Sequence, residues 1–573
     1  MKNFAQLRKN LKKTNNSKTL KIAILGDTAT QFLTQAIKGT ALDNDINPDV
    51  FEADFNQIER QVYDLSSELY KFEPEIVIVF QSSHKLLLKY NKINPEEHSL
   101  LASNEMSKIE NIYSNLSSNL EAKVIYYNYT EIDDAVFGNY ANKVESSFLF
   151  QVRKLNYELM CFASKSSNLY LCDISTIQNQ IGKLNFFQPS VYVNTDMVLS
   201  IDALPKIASK TIDIISTLNG KFKKCVILDL DNTTWGGIIG DDGIENIQIG
   251  SLGIGKSFSE FQYWIKKLKE RGVILAVCSK NTEAIAMEPF EKHPEMVLRL
   301  KDISVFRANW ENKADNIRQI QSILNIGFDS IVFLDDNPFE RNIVRENIPE
   351  ICVPELPEDP ANYLEFLYEL NLFETASFSN EDSERTKLYQ IEAERVKVYK
   401  KFTNEDDFLK NLNMLSDIQS FNKFNTPRIA QLSQRSNQFN LRTIRYSEAD
   451  IEKISVSNDY LSFAYTLEDN FGDNGLICVV VLKKEGQNTL FIETWFMSCR
   501  VLKRGMENFV LSTIINTAKE NGFNTIKGEY IFTNKNDLVK DHYTDLGFRK
   551  EQNRFYLDIK DYQEKLNYIK IKL

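Results

Sequence analysis

Short runs of consecutive apolar residues recur along this chain, separated by longer stretches in which apolar positions return every three or four residues. Runs of the first kind suit strands buried on both faces and the second kind suits helices, so their alternation predicts parallel α/β folding. In the first third the runs fall at 21–25, 75–80, 123–127 and 169–172, which predicts one small parallel α/β domain. Three more follow: Cys225-Val-Ile-Leu228, Val273-Ile-Leu-Ala-Val-Cys278 and Ser330-Ile-Val-Phe-Leu334. Residues 370–410 turn rich in Ser, Glu and Lys, and an exposed linker helix is predicted over 382–401. Beyond it, 475–483 and 489–497 form a predicted strand pair. A helix through Ala518, a strand over 525–531 and another helix before Tyr543-Thr-Asp-Leu-Gly-Phe548 complete the series. The expected organisation is multidomain α/β in four segments, 1–218, 219–369, 370–403 and 404–573.

Composition narrows the class. At 573 residues the chain has room for about three or four domains, and 43% hydrophobic residues with 11% aromatics suffice for several cores. A formal net charge of −11, with no Lys/Arg stripe, argues against a nucleic-acid binder. The stretch 1–21 is basic and polar without an apolar centre, so no secretion signal is expected. No apolar run reaches membrane-spanning length, and no membrane partner is expected. Seven cysteines without a Cys-x-x-Cys pair fit a reducing, cytoplasmic setting and no structural zinc. His84, His98, His293 and His542 are isolated, which leaves no histidine-based triad or metal cluster.

The three apolar runs of the second segment end in chemically useful groups. The first delivers Asp229 and Asp231, two residues apart, into the loop at the strand's carboxyl end, where open α/β sheets bind ligands. The second ends in Ser279-Lys280-Asn281 and the third in Asp335-Asp336-Asn337, with Lys313 between them. Acid, hydroxyl and acid at three strand ends, with a lysine, describe a Mg²⁺-dependent phosphoryl-transfer site.

This order of motifs resembles the haloacid dehalogenase (HAD) superfamily of phosphatases. The resemblance implies that Asp229 is the nucleophile that forms an aspartyl-phosphate, and Asp231 the general acid/base. It places Thr233, Ser279, Lys280, Asn281 and Lys313 around the phosphoryl group, and Asp229, Asp335, Asp336 and the carbonyl of Asp231 around Mg²⁺. Longer stretches are more specific. Asp229-Leu-Asp-Asn-Thr-Thr-Trp-Gly-Gly-Ile-Ile-Gly-Asp-Asp-Gly243, Cys278-Ser-Lys-Asn281, His293-Pro-Glu-Met-Val-Leu298, Asn309-Trp310 and Leu334-Asp-Asp-Asn-Pro-Phe-Glu-Arg341 resemble the FkbH-like branch, HAD subfamily IIIC. The intervals from Asp231 to Ser279 and from Lys313 to Asp335 are too short for a cap domain, so a capless, open HAD core is expected.

The flanks carry weaker signals. Gly26-Asp27-Thr28 resembles the Gly-Asp-Ser signature of SGNH-type hydrolases, with Thr28 in place of the serine and Thr176 where an Asp173-x-x-His base belongs. A degenerate SGNH/flavodoxin-like domain is expected there. The last segment resembles a GNAT acyltransferase domain, with Arg500-Val-Leu-Lys-Arg-Gly505 as its phosphate-binding turn and Lys503 at the first glycine position. Cys499 precedes that turn beside Arg500, Lys503 and Arg504, cations that favour a thiolate.

FkbH-like proteins are associated with taking a glyceryl unit from 1,3-bisphosphoglycerate, removing phosphate, and presenting the unit as a thioester on an acyl carrier protein. The resemblance therefore implies a Mg²⁺-dependent phosphatase/glyceryltransferase in which Cys499 holds the acyl group and Arg500 helps bind substrate. It also implies that both sites face one open cleft. The alternatives are a plain phosphatase of a sugar or small-acid phosphate with recognition domains, and a carrier-protein-binding scaffold.

Overall fold

A computed structural model describes residues 2–13, 18–379, 382, 384–399 and 401–572. Residues 383 and 400 of the predicted linker helix, and 1 and 14–17 of the basic start, lie outside the described residues. The chain forms two compact units, Met1–Ser216 and Thr217–Leu573.

In the first unit, β1 (Thr19–Gly26), β2 (Asn47–Glu52), β3 (Ile76–Phe80), β4 (Lys123–Tyr127) and β5 (Leu169–Cys172) make an all-parallel sheet ordered β2-β1-β3-β4-β5. That order is the flavodoxin-like doubly wound arrangement, whose ligand crevice opens at the carboxyl ends of β1 and β3. Four strands fall where apolar runs predicted them. Strand β2 has no such run because it is a half-buried edge, where Pro48 is tolerated.

The second unit contains two sheets. Strands β6 (Cys225–Leu228), β7 (Ile274–Ser279), β8 (Val305–Ala308) and β9 (Ile331–Leu334) are parallel in the order β8-β7-β6-β9. Alternate residues of β6 feed the two faces: Val226 and Leu228 pack with Phe261 and Ile265, and Cys225 and Ile227 with Ile317 and Ile320. Because β6 lies between β7 and β9, its carboxyl-end loop opens between the loops of both neighbours. Edge strand β8 reads Val-Phe-Arg-Ala, too mixed for an apolar run.

The linker expectation is corrected. The helix Arg385–Tyr399 is built into the core: Tyr389 is 2% exposed among Ile274, Ile317 and Ile331, and the Gln390 amide donates to the carbonyls of Lys301 and Ile303. Its polar residues masked it, since many of them make buried contacts of their own.

The other sheet comprises β10 (Leu415–Ser416), β11 (Ile418–Gln419), β12 (Tyr460–Asp469), β13 (Gly472–Glu485), β14 (Thr489–Met497), β15 (Thr525–Glu529), β16 (Arg549–Glu551), β17 (Arg554–Asp558) and β18 (Lys570–Ile571). Its order is β16-β17-β15-β14-β13-β12-β10-β18, with β11 also on β12. The parallel pair β14/β15 is joined only from Thr489 to Phe491, after which the strands diverge. The segment 439–441 fills the gap: Leu441 N–H donates to Trp495 O, Met497 N–H to Phe439 O and Ile531 N–H to Leu441 O.

His542 packs edge-on against Trp495, with ring centroids 4.5 Å apart, and is buried. Burial pushes its pKa down to about 3. Below pH 6.5 the unfolded chain therefore takes up a proton that the folded chain refuses, and stability is lost progressively as pH falls toward 3. His542→Phe keeps a ring and removes that proton site. It is expected to lose about 2 kcal/mol less stability than wild type between pH 7 and pH 5, read from urea midpoints at the two pH values. Equal losses would refute the assignment.

Candidate active site

Strand β6 hands over directly to the site. Asp229 N–H donates to Leu334 O, extending the β6/β9 ladder by one residue and fixing the carboxylate between the two strand ends. The next turn is tight, with Asn232 in the left-handed region at φ 54° and its side-chain oxygen accepting from Gly237 N–H at 2.9 Å. Gly237 (φ 94°) and Gly243 (φ 70°) take backbone conformations that side chains disfavour, as the sequence required of this loop. Asp231 is held by three donors: Asn281 Nδ2 at 2.8 Å, Ile239 N–H at 3.0 Å and Trp235 Nε1 at 3.1 Å. Burial, with Asp229 nearby, nevertheless raises its pKa, which suits a carboxyl that must carry a proton in part of a reaction.

Lys313 is the first residue of the helix Lys313–Leu324, where the Asn312 side chain caps the helix by accepting from Ala314 N–H. Its ammonium lies 2.6 Å from Asp335 Oδ2 and 2.9 Å from Asp229 Oδ1, all three side chains being buried. Burial opposes the ammonium, but the two carboxylates outweigh it and hold the lysine charged well above its ordinary range. One cation does not balance the acids. Burial and the Asp229 charge push Asp335 up to about 7 and also raise Asp336.

Asp229, Asp335 and Asp336 each offer an oxygen within 4.8 Å of the others. Asp229 Oδ1 is buried and has the Lys313 ammonium at 2.9 Å. Hard oxygens grouped around a surplus of negative charge fit a divalent cation such as Mg²⁺. The Asp231 carboxylate is outside this set, so its expected share in the metal falls to its carbonyl.

The structure brings Ser279, Asn281 and Lys313 to the same strand ends and ties Asn281, Lys280 and Thr233 to neighbouring side chains. Ser279 Oγ accepts from Asn281 Nδ2 at 3.3 Å and is nearly buried. Asn281 positions Asp231 instead of facing outward. Lys280 pairs with Glu340 at 2.6 Å. Thr233 corrects an expectation: fully buried, its hydroxyl bonds Asp336 on both sides, accepting from the N–H at 2.9 Å and lying 3.2 Å from Oδ1. Its hydroxyl is spent on bracing the loop that carries Asp336. The sequence also left Arg341 without a role. Its Nη1 donates to the carbonyls of Asp335 and Asp336, locking the acidic loop from below. Its place in the Asp335–Arg341 motif was the available signal.

Asn281→Ala is expected to lower kcat about ten- to a hundredfold with little change in KM, because Asp231 loses a donor that orients it. Steady-state kinetics check this, and a KM-only effect would contradict it.

Cys499 and Arg500 do not join this site, which corrects the single-cleft expectation. Cys499 lines a cavity with Lys224 and Ser330, the residues just before β6 and β9. Asp229 and Asp335 follow the same strands, so the thiol lies at the opposite end of the sheet, roughly 16 Å away along β6. Arg504 is committed to Glu392 and Asp469. Lys503 adopts φ 61°, the conformation that its glycine-favouring position demands.

In the first unit Thr28 is fully buried, and Asp173 caps the helix Ile174–Ile181, accepting from Thr176 N–H and hydroxyl. Neither residue is arranged for nucleophilic chemistry.

Fold and site together define a capless HAD-type phosphatase core carried on a larger α/β chain. Residues 21–216 match the family model for the FkbH N-terminal domain. The crystal structure of the N-terminal part of the protein BF1531 from Bacteroides fragilis, which contains a phosphatase domain and was complexed with Mg, is 56% identical. That likeness covers 66% of this chain and 100% of that one, at a TM-score of 0.64. The ribosomal-protein-S18-alanine N-acetyltransferase from Escherichia coli is 16% identical over 26% of this chain and 98% of its own, with a TM-score of 0.21. Comparison with curated proteins returned no match. The chain belongs to the FkbH-like family of HAD phosphatases. Among the described residues no helix is long and apolar enough to cross a membrane.

Proposed function

We propose that this chain is a Mg²⁺-dependent phosphatase working through Asp229, and that it serves to load a glyceryl-type acyl group onto a carrier protein. The observation that carries the phosphatase reading is one cluster: Asp229, Asp335 and Asp336 around Lys313, with Asp231 held separately beside them. Asp229 attacks phosphorus, and the bond from phosphorus to the leaving oxygen breaks as Asp231 donates its proton to that oxygen. Asp231 then takes a proton from water, whose oxygen displaces Asp229 and releases phosphate. Lys313 and Ser279 hold phosphoryl oxygens. Mg²⁺, held by the carboxylates of Asp229, Asp335 and Asp336 and the carbonyl of Asp231, supplies positive charge against those oxygens. The Mg-complexed relative supports this ion.

The acyl-transfer reading rests on the FkbH-like motifs. The opposite placement of Cys499 requires an acyl donor to reach the thiol directly: sulfur attacks the acyl carbon, the bond to the phosphate oxygen breaks, and phosphate leaves. The exposed Trp310, on the loop after β8, and Phe339, in the first turn of the helix Pro338–Asn347 that follows β9, support a macromolecular carrier of the substrate. The same separation of Cys499 from Asp229 favours the second reading, a plain phosphatase with recognition domains.

One experiment separates them. The full chain is incubated with Mg²⁺ and 1,3-bisphosphoglycerate, with phosphate release and intact mass followed together. An adduct of 3-phosphoglyceryl mass, or of glyceryl mass once the remaining phosphate is hydrolysed, that is absent in Cys499→Ala supports the transferase. Release abolished by EDTA and restored by Mg²⁺, with no adduct, leaves the phosphatase alone.

A further inference from the structure

Strands β14 and β15 pair only from Thr489 to Phe491, and two strands that part in this way leave facing rows of backbone groups. Such a gap is a place for an extended, amide-bearing arm to pair with the sheet. The acyltransferases that this sheet resembles take their acyl group from a thioester of coenzyme A. Its pantetheine arm is of that kind, and its phosphates need donors nearby. The residues present fit neither part.

The gap is filled by the chain itself. Beyond the paired stretch, Glu493 O accepts from Arg442 Nη1 at 2.8 Å and Trp495 O from Leu441 N–H at 3.1 Å, while Met497 N–H donates to Phe439 O at 3.0 Å. On the other side Ile531 N–H donates to Leu441 O at 2.9 Å, and Arg442 Nε reaches Glu529 Oε2 at 2.8 Å. Asn536 Nδ2 donates to Asn440 O at 2.9 Å. Phe439, Asn440 and Leu441 are all buried, and Phe439 and Leu441 share one core with Trp495, Val510 and Ile526. Withdrawing two large core side chains to admit a ligand would cost more than pairing a few amides gains.

The turn before the helix Met506–Glu520 is no better suited to phosphate. Its Arg504 is committed to Glu392 at 2.6 Å, to Asp469 at 3.1 Å and to the carbonyl of Arg500 at 2.7 Å. Glu507 sits on the first turn of the helix, where free N–H groups would otherwise draw an anion. It is half-buried, and loss of water raises its carboxyl pKa with no cation to offset this. The 720 Å³ cavity beside the turn offers no surplus of positive charge, since Lys503 and Lys565 face Glu392, Glu507 and Asp545. A pyrophosphate would meet like charge there.

We propose that residues 439–442 close this gap permanently, so that the C-terminal sheet takes no coenzyme A thioester and works as a fixed extension of the phosphatase core. Bonds between the two already hold them together. Arg395, on the helix Arg385–Tyr399, meets Asp469 at 2.8 Å, Lys224 Nζ donates to the carbonyl of Arg435 at 2.9 Å, and Asn325 Nδ2 to that of Cys499 at 2.8 Å. The closure holds whether or not Cys499 ever carries an acyl group, and any pantetheine arm that the chain serves is met outside the gap.

Amide hydrogen exchange on the full-length protein, read by peptide mass spectrometry with and without millimolar coenzyme A, tests this. Peptides over 438–442 are expected to exchange within about tenfold of those over the central strand β13, since both open only on unfolding. Coenzyme A should change neither these nor peptides over 502–509. Binding heat in calorimetry with no change at either segment also supports the proposal, because the ligand then sits elsewhere. Exchange at 438–442 about a hundredfold or more faster than in β13 would reveal a strap free to leave, and overturns it. Protection of 493–497 or 502–509 by coenzyme A overturns it too.

Discussion

Asp229→Asn is expected to lower phosphate release by about 10⁴-fold or more while leaving the protein folded. The amide cannot attack phosphorus, and no neighbour can substitute. Asp335 and Asp336 are engaged with Lys313 and Thr233, and Asp231 is turned toward Asn281 and Trp235. Stability should not suffer. Three carboxylates share one ammonium here, and burial with the Asp229 charge already drives Asp335 up to about 7. Removing the Asp229 charge relieves that repulsion, and its backbone bond to Leu334 remains. The melting temperature without metal should therefore hold or rise, while the shift caused by Mg²⁺ should shrink, since one ligand is gone. Steady-state hydrolysis and thermal melts with and without Mg²⁺ read both effects. Activity within tenfold of wild type would remove Asp229 from the nucleophile's role.

Lys313→Met reverses the sign of the stability effect. It takes away the cation paired with Asp229 and Asp335, and stripping one partner from a buried ion pair destabilises by about 3–5 kcal/mol. The loss should be greatest in EDTA, and millimolar Mg²⁺ should recover part of it by supplying the missing positive charge. Activity falls in either case, because a phosphoryl-binding charge is lost. Urea unfolding in EDTA and in Mg²⁺ measures the difference, and an unchanged midpoint in EDTA would show the lysine to be electrostatically idle. Combining it with Asp229→Asn should cost less than Lys313→Met alone, since the two groups are 2.9 Å apart and their effects are coupled.

The phosphatase site was legible because its chemistry is attached to local signals. Each functional acid or hydroxyl immediately follows a strand that is buried on both faces, and such strands announce themselves as unbroken apolar runs. Asp229, Ser279 and Asp335 could therefore be placed at one end of one sheet before any geometry was known. Edge strands β2 and β8 were not legible, since an edge needs no apolar run. The helix Arg385–Tyr399 was misread for a related reason: its burial is satisfied by polar bonds that composition does not reveal.

What the chain's own order of residues determined was the α/β class, the strand ends that carry the chemistry, and membership of a family recognised by its motifs. Tertiary structure alone decided which hydroxyls face inward. Thr233 looked like a phosphate binder by position, yet its oxygen is spent on Asp336, and Asn281 is spent on Asp231. It alone decided where Cys499 lies. Proximity in sequence to Arg504 says nothing about which end of a distant sheet the thiol will meet, because that depends on packing between residues hundreds of positions apart. The cluster of cations around that thiol comes from at least five separate stretches of chain. No local pattern encodes it, and only folding brings their charges together.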